Sequence, residues 1–304
     1  MSAMRQMTAR DYALYATAVF CWGTSWLALR IQSVSAPPET AVFWRFVFAT
    51  ALMGLWVRLQ GLPVAFDARA HVRFLVMGLG IFSTNFVLYY HGGKVLTSGL
   101  LAVLFSLAVV GNLALGALVL RQPVTIPLAF AAAIGVTGVG LMFAGEFQKT
   151  GEDAALLVCI LLCLAGTASF CVGNMASALS SHAGVDVVSA TFWGMIYGTA
   201  WTGLLSVVRG AGFAAPLMFP FLVSLAWLVL VATIVAFWAY LTLVQRIGAA
   251  RAGYATVMFP VVGLLVSTFA GTLVPGAAGN YAWTWFSVLG LALALGGNAL
   301  ALRR

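Results

Sequence analysis

From Ala252 to Leu302 the sequence carries no charged residue. As a single helix that run would reach about 76 Å at 1.5 Å per residue, against roughly 30 Å of bilayer hydrocarbon. It must turn once, and Pro275-Gly276 with Gly279-Asn280 supplies the turn signal. The rest of the chain follows the same grammar, with apolar runs separated by short polar punctuation. Hydrophobic residues make up 63% and charged residues 7%, and the mean hydropathy is +1.05. One soluble core cannot hide that much apolar surface, so the chain reads as an all-α integral membrane protein.

Taking ~20 apolar residues per crossing, spans are expected at 12–30, 40–57, 74–90, 95–119 and 125–145, then at 154–175, 187–208, 221–244, 252–274 and 281–302. Before Arg30 no small-residue cleavage site follows the first apolar run, which is therefore read as a retained span. The formal net charge of +8 is spread between the apolar runs, where it sets topology, and nucleic-acid binding is excluded. On the side of the N-terminus fall Arg5, Arg10, Arg58, Arg69, Arg73, Arg121, Arg246, Arg251, Arg303 and Arg304, against Arg30, Lys94, Lys149 and Arg209 on the other. Both termini are expected in the cytoplasm.

One stretch is written twice. Ala41-Val42-Phe43-Trp44, running on to Thr50-Ala51 and Gly54, returns 149 residues later as Ala190-Thr191-Phe192-Trp193, Thr199-Ala200 and Gly203. Gly23-Thr24 recurs as Gly166-Thr167, and Ser98-Gly99, Val103, Phe105 as Ala252-Gly253, Val257, Phe259, at offsets of 143 and 154. A duplication is the simplest reading. Because each copy holds five helices, the second enters the membrane upside down. The expected organisation is a cytoplasmic segment 1–11, a first five-helix repeat 12–145, an extracytoplasmic linker 146–153 and an inverted second repeat 154–302 around a central cavity. That architecture points to a secondary transporter working by alternating access.

Phe20-Cys21-Trp22-Gly23-Thr24-Ser25, Phe43-Trp44-Arg45-Phe46, and Gln245 to Ala252 with Phe259-Pro260-Val261-Val262 resemble the first-helix, second-helix and eighth-to-ninth-helix motifs of the drug/metabolite transporter superfamily, EamA type. Within it the chain resembles the YddG-like exporters. The resemblance implies ten helices in a bacterial cytoplasmic (inner) membrane and export of aromatic and other neutral amino acids. It also shows a departure: a glycine-glutamate pair often follows the fourth and ninth helices of the family, where this chain has Arg121-Gln122-Pro123 and Val274-Pro275-Gly276.

Candidate site residues follow from what is polar, aromatic or hinge-like within the spans. Asp11, Glu39, Asp67, Glu146, Glu152, Asp153 and Asp186 all fall at span ends or in loops. Intramembrane carboxylates carry protons and counter cationic substrates, and small multidrug pumps of the superfamily use one in the first helix, where Trp22 stands here. A substrate neutral overall, moving downhill, is expected ahead of a cationic drug exchanged for protons. Arg45 lies about six residues inside its span; it either snorkels to the interface or lines the cavity and pairs with a substrate carboxylate. Trp22, Phe43, Trp44, Tyr89, Phe105, Trp193, Phe237 and Tyr240 are candidates for an aromatic cavity that stacks a side chain and faces an ammonium group. Ser25, Asn85, Ser98, Ser169 and Asn174 are the polar candidates, and serve equally well as interhelical glue.

Gating candidates are the hairpin turn His91-Gly92-Gly93-Lys94, its inverted counterpart with Gln245, Gly248 and Gly253, and Pro260, read as midway along the ninth span. Ser106 occupies the position related to Pro260. Gly194 and Gly198 form a small-residue packing pattern. Cys21, Cys159, Cys163 and Cys171 lie inside apolar runs and are read as packing residues, not a disulfide framework or metal site. No cofactor motif is evident. An intramembrane hydrolase built on Ser25 with His91 or His182 lacks the second motif glycine of rhomboid-like proteases. Sugar-phosphate, lipid-carrier and cationic-drug substrates remain alternatives within the superfamily, and the oligomeric state is open.

Overall fold

Helix follows helix through the computed structural model, which describes residues 7–96, 98–142, 144, 154–273 and 284–302. Among the described residues there is no β-strand. In chain order the longer helices are α1 (Ala9–Ser35), α2 (Pro38–Leu59), α3 (Ala68–Gly92), α4 (Ser98–Ser106 continued by Ala108–Leu120), α5 (Ile126–Met142), α6 (Ala154–His182), α7 (Val187–Val208), α8 (Phe219–Ile247), α9 (Ala255–Leu273) and α10 (Trp285–Leu302), with one short helical turn, Ala249–Ala252, between α8 and α9. The expected turn at Pro275-Gly276 and the linker 146–153 lie outside the described residues.

Five helical stretches are long and apolar enough to cross a bilayer: Pro38–Leu59, Ala68–Gly92, Leu100–Leu120, Ala155–His182 and Phe219–Ile247; Ile126–Met142 is a shorter apolar helix. Leu118, Ile126 and Phe219 on the outer surface are 78%, 86% and 79% exposed. Large aliphatic and aromatic side chains turned outward in this way suit lipid, and the protein is a membrane protein.

Helix starts are written in local chemistry. Thr8 caps α1 in a reciprocal box with Asp11, Asp67 caps α3, Asp186 caps α7, and Pro38 opens α2. Gly248 ends α8 at φ +85°, a conformation that favours glycine. At the end of α4 the same demand falls on Arg121, whose φ is +52°. The departure from the family's glycine therefore sits where the backbone turns left-handed, at a cost of about 1 kcal/mol for a residue with a Cβ. Arg121→Gly is expected to raise the thermal midpoint of the purified protein slightly; an unchanged or lower midpoint counts against this reading.

Two features were invisible in the apolar runs. Helix α3 contains a π-helical turn at Gly80–Thr84 and α8 one at Leu230–Val235. Inside each, a hydroxyl reaches back five residues: Ser83 Oγ donates to the Gly78 carbonyl at 2.9 Å and Thr233 Oγ1 to the Leu228 carbonyl at 2.6 Å. Pro260 lies in the second turn of α9 and not midway, because the chain breaks at Gly253 before that helix begins. Its counterpart Ser106 donates to the Val103 carbonyl, where α4 is interrupted at Leu107.

The duplicated stretch forms a seam between α2 and α7. The Phe43 ring packs on Gly203 and the Phe192 ring on Gly54, while Thr50 and Thr199 meet hydroxyl to hydroxyl at 3.1 Å. Trp44 Nε1 donates to the Phe213 carbonyl and Trp193 Nε1 to the Val64 carbonyl, at 2.8 and 3.1 Å. Every one of these contacts has a partner related by the same 149-residue offset. The helices run antiparallel, since early residues of one meet late residues of the other. A second close seam joins α5 to α10, where Gly138 faces Gly290 and Gly135 faces Gly297 backbone to backbone.

Candidate functional site

At the centre of the bundle, α1 presents Trp22, Ser25, Trp26 and Leu29 on one face, at the i, i+3, i+4, i+7 spacing of a helical stripe. They line a cavity of about 30 Å³, together with Arg45 of α2, Asn85, Phe86 and Tyr89 of α3, and single aromatic residues of four further helices. Those are Phe105, Phe170, Phe237 and Phe259. At this size the cavity holds one or two water-sized groups.

Its walls are rings in mutual contact. Trp22 meets Phe237 edge-on at 4.8 Å, Tyr240 at 4.9 Å and Phe259 at 5.2 Å. Trp26 lies 5.7 Å from Tyr89 and 5.6 Å from Phe105. Phe105 and Phe259, which occupy matching positions in the two copies, stack at 6.1 Å with 23° between their planes. Edge-to-face and offset contacts of this kind bring ring edges and ring faces to the same wall, so it accepts both apolar and cationic groups.

Arg45 is 1% exposed, so it does not snorkel to the interface. Its Nε donates to Thr233 Oγ1 at 2.9 Å, which ties it to the π-helical turn of α8. On α3 the Tyr90 hydroxyl donates to Gln32 Oε1 of α1 at 2.9 Å. The guanidinium carbon sits 4.1 Å from the centre of the Phe86 ring. A buried cation held by neutral partners attracts an anionic group more strongly than it would in water, because little solvent screens it. Trp22 also grips the turn, through Nε1 to the Ala232 carbonyl at 2.8 Å.

Of the expected site residues, Trp22, Ser25, Arg45, Asn85, Tyr89, Phe105 and Phe237 meet around this cavity. Tyr240 stands behind Trp22, its hydroxyl accepting from Asn174 Nδ2 at 3.1 Å; the same amide nitrogen also donates to Asn112. Phe43, Trp44 and Trp193 are set apart from it: they build the α2–α7 seam, where two related segments must fit each other. Ser169 bonds the Gly80 carbonyl across the α3–α6 contact, and Ser98 opens α4 away from the cavity. Trp26, Leu29, Phe86, Phe170 and Phe259 were missed. The stripe Trp22, Ser25, Trp26, Leu29 was legible as a helical face; Phe86 and Phe170 had no such signal.

The two ends of the bundle are tied by charge. At one, buried Glu39 takes His91 Nε2 and Arg209 Nε on the same carboxylate oxygen, each at 3.0 Å, and Arg30 donates to the Gly93 and Leu96 carbonyls. Gly92 and Gly93 allow this turn to lie against Cys163 and Ser33. At the other, Arg246 pairs with Asp11 and reaches Thr8, and Tyr254 donates to the Leu128 carbonyl. Gly248 abuts Gln122 there, and the Gly253 carbonyl accepts from Thr256.

Residues 11–144 match the EamA-like transporter family. Protein PagO of Salmonella typhimurium is 26% identical over 132 residues, 43% of each chain. An uncharacterized transporter in the trpA 3′ region of Buchnera aphidicola subsp. Schlechtendalia chinensis is 28% identical over 86 residues, 28% of each. The chain thus matches less than half the length of these curated relatives. A solved crystal structure shares the fold, with a TM-score of 0.76 and 18% identity over 97% of both chains. Over residues 11–144 the chain is thus similar to the EamA-like transporter family.

Proposed function

We propose that this protein exports neutral amino acids, aromatic and other apolar ones, from the cytoplasm across the bacterial inner membrane by alternating access. The observation that carries the reading is the aromatic cavity around one buried guanidinium, with a tied end on either side of it. The rings suit an apolar side chain and an ammonium group, and Arg45 suits a carboxylate. Among the described residues that line the cavity Arg45 is the charged one and none is a carboxylate that could carry a proton, which supports downhill transport.

The paired contacts of the α2–α7 seam support two inverted five-helix halves forming ten spans. Two antiparallel helices that exchange equivalent contacts are related by a two-fold axis perpendicular to both, and for membrane helices that axis lies in the membrane plane. With the termini cytoplasmic, the turn at His91, Gly92 and Gly93 closes the outside, and Gly248, Gly253 and Pro260 belong to the inner gate. Each half tilts in turn, breaking one set of ties while the other holds.

The test is uptake of labelled phenylalanine, tryptophan, leucine, methionine and threonine into proteoliposomes, with and without a proton gradient. Saturable flux indifferent to the gradient is the expected result. Flux that requires the gradient refutes the downhill mechanism, and absence of flux for all five refutes the substrate class in favour of another metabolite.

A further inference from the structure

Most polar groups around the cavity already have partners inside the protein. Ser25 Oγ donates to the Trp22 carbonyl, the Tyr89 hydroxyl bonds Thr167, Trp22 Nε1 bonds Ala232, and Arg45 Nε bonds Thr233. Two buried atoms do not. Trp26 Nε1 and Asn85 Oδ1 have no hydrogen-bond partner among the described residues, although Trp26 is 7% and Asn85 1% exposed. One is a donor and the other an acceptor, and both residues line the same cavity.

They are also neighbours. Asn85 and Tyr89 are one turn apart on α3, and the Tyr89 ring lies 5.7 Å from the Trp26 ring on α1. Arg45 lines the same space from α2, over the Phe86 ring. An unpaired buried donor that shares a cavity with a guanidinium calls for an anionic acceptor, and an unpaired buried acceptor in a cavity walled by rings calls for a cationic donor.

We propose that Trp26 and Asn85 form a head-group site that requires a zwitterion: Trp26 N–H and Arg45 hold the α-carboxylate, while Asn85 Oδ1 and the surrounding rings hold the α-ammonium. This assignment rests on the amino-acid reading above and makes it narrower, because it demands both charges on one carbon. It makes Trp26 and Asn85 specificity-determining residues and leaves the side chain to be sorted by the movable rings. A cavity of about 30 Å³ has room for no more than part of such a head group, so the bound form requires the Phe105 and Phe259 rings to part.

The test uses ligand-induced thermal stabilisation of the purified full-length protein, a readout that survives loss of transport. Phenylalanine is compared with phenethylamine, which lacks the carboxylate, and 3-phenylpropionate, which lacks the ammonium. Wild type is expected to bind phenylalanine roughly 10-fold or more tightly than either, since each leaves a buried partner unmatched. Trp26→Phe is expected to weaken phenylalanine and 3-phenylpropionate and to leave phenethylamine unchanged. Asn85→Leu is expected to do the converse, weakening phenylalanine and phenethylamine alone. Should Asn85→Leu prove unstable without ligand, the isosteric Asn85→Asp keeps the acceptor and is expected to tighten phenethylamine. Equal weakening of all three ligands by both variants, or no gain for phenethylamine with Asn85→Asp, overturns the assignment while leaving amino-acid transport standing. A wild type that responds to none of the three overturns the substrate reading itself.

Discussion

Arg45→Met is expected to leave a folded protein that has lost roughly 10- to 100-fold in uptake efficiency for a neutral amino acid, the loss of one charge-assisted hydrogen bond to a carboxylate. The fold should tolerate the change because Thr233, the hydrogen-bond partner of Arg45, keeps another bond: it still donates to the Leu228 carbonyl. Replacing a buried charge by a side chain of similar volume often costs little in stability. Arg45→Lys is expected to be nearly as damaging, since an ammonium lacks the planar fork that meets Thr233 and a carboxylate together. Uptake in proteoliposomes, read against the thermal midpoint of the same preparations, separates the two effects. Wild-type uptake in Arg45→Met would remove the arginine from the site; a collapsed midpoint would make it a structural group.

The second large effect concerns folding. Gly138→Val and Gly290→Val should each abolish stable expression or lower the thermal midpoint by several degrees. A Cβ at Gly138 would lie 2.6 Å from the Gly290 carbonyl oxygen and 2.5 Å from the Ala294 nitrogen, and a Cβ at Gly290 would collide with the Gly138 carbonyl. Those neighbours are backbone, which cannot rotate aside, so α5 and α10 would have to separate and lose the packing that holds them. A cost of about 3 kcal/mol is at the upper end for an overpacked contact. Gly140→Val and Gly296→Val are the controls. They lie in the same two helices, yet nothing stands within 4 Å of a Cβ at either position. Their midpoints should match wild type. Equal damage at all four positions would point to glycine's role in helix flexibility instead of the seam.

Phe43, Trp44 and Trp193 illustrate how a true sequence signal can be given the wrong meaning. Their repetition was read as a duplication, and the residues themselves as candidates for the aromatic cavity. In the structure it reflects a different demand: segments that meet across a two-fold relation must be complementary to each other, so the same aromatic residue serves both sides of the seam. Tyr240 is a milder case, one ring removed from the cavity behind Trp22. Trp26 was the opposite error. It was passed over beside Trp22 and Ser25, although the three share one helical face.

The membrane class, the placement of most helices and the recurrence of one stretch at an offset of 149 residues were written in the sequence alone. They depend on hydropathy, on turn chemistry and on order along the chain, which are one-dimensional properties. Only the tertiary structure decided which aromatics face the cavity, that Arg45 turns inward, that Glu39 joins His91 to Arg209, and that π-helical turns interrupt α3 and α8. The physical reason is rotation. A helix that is apolar on every side has no preferred face toward lipid, so neighbours and close backbone contacts set how it turns. That choice determines which side chains meet.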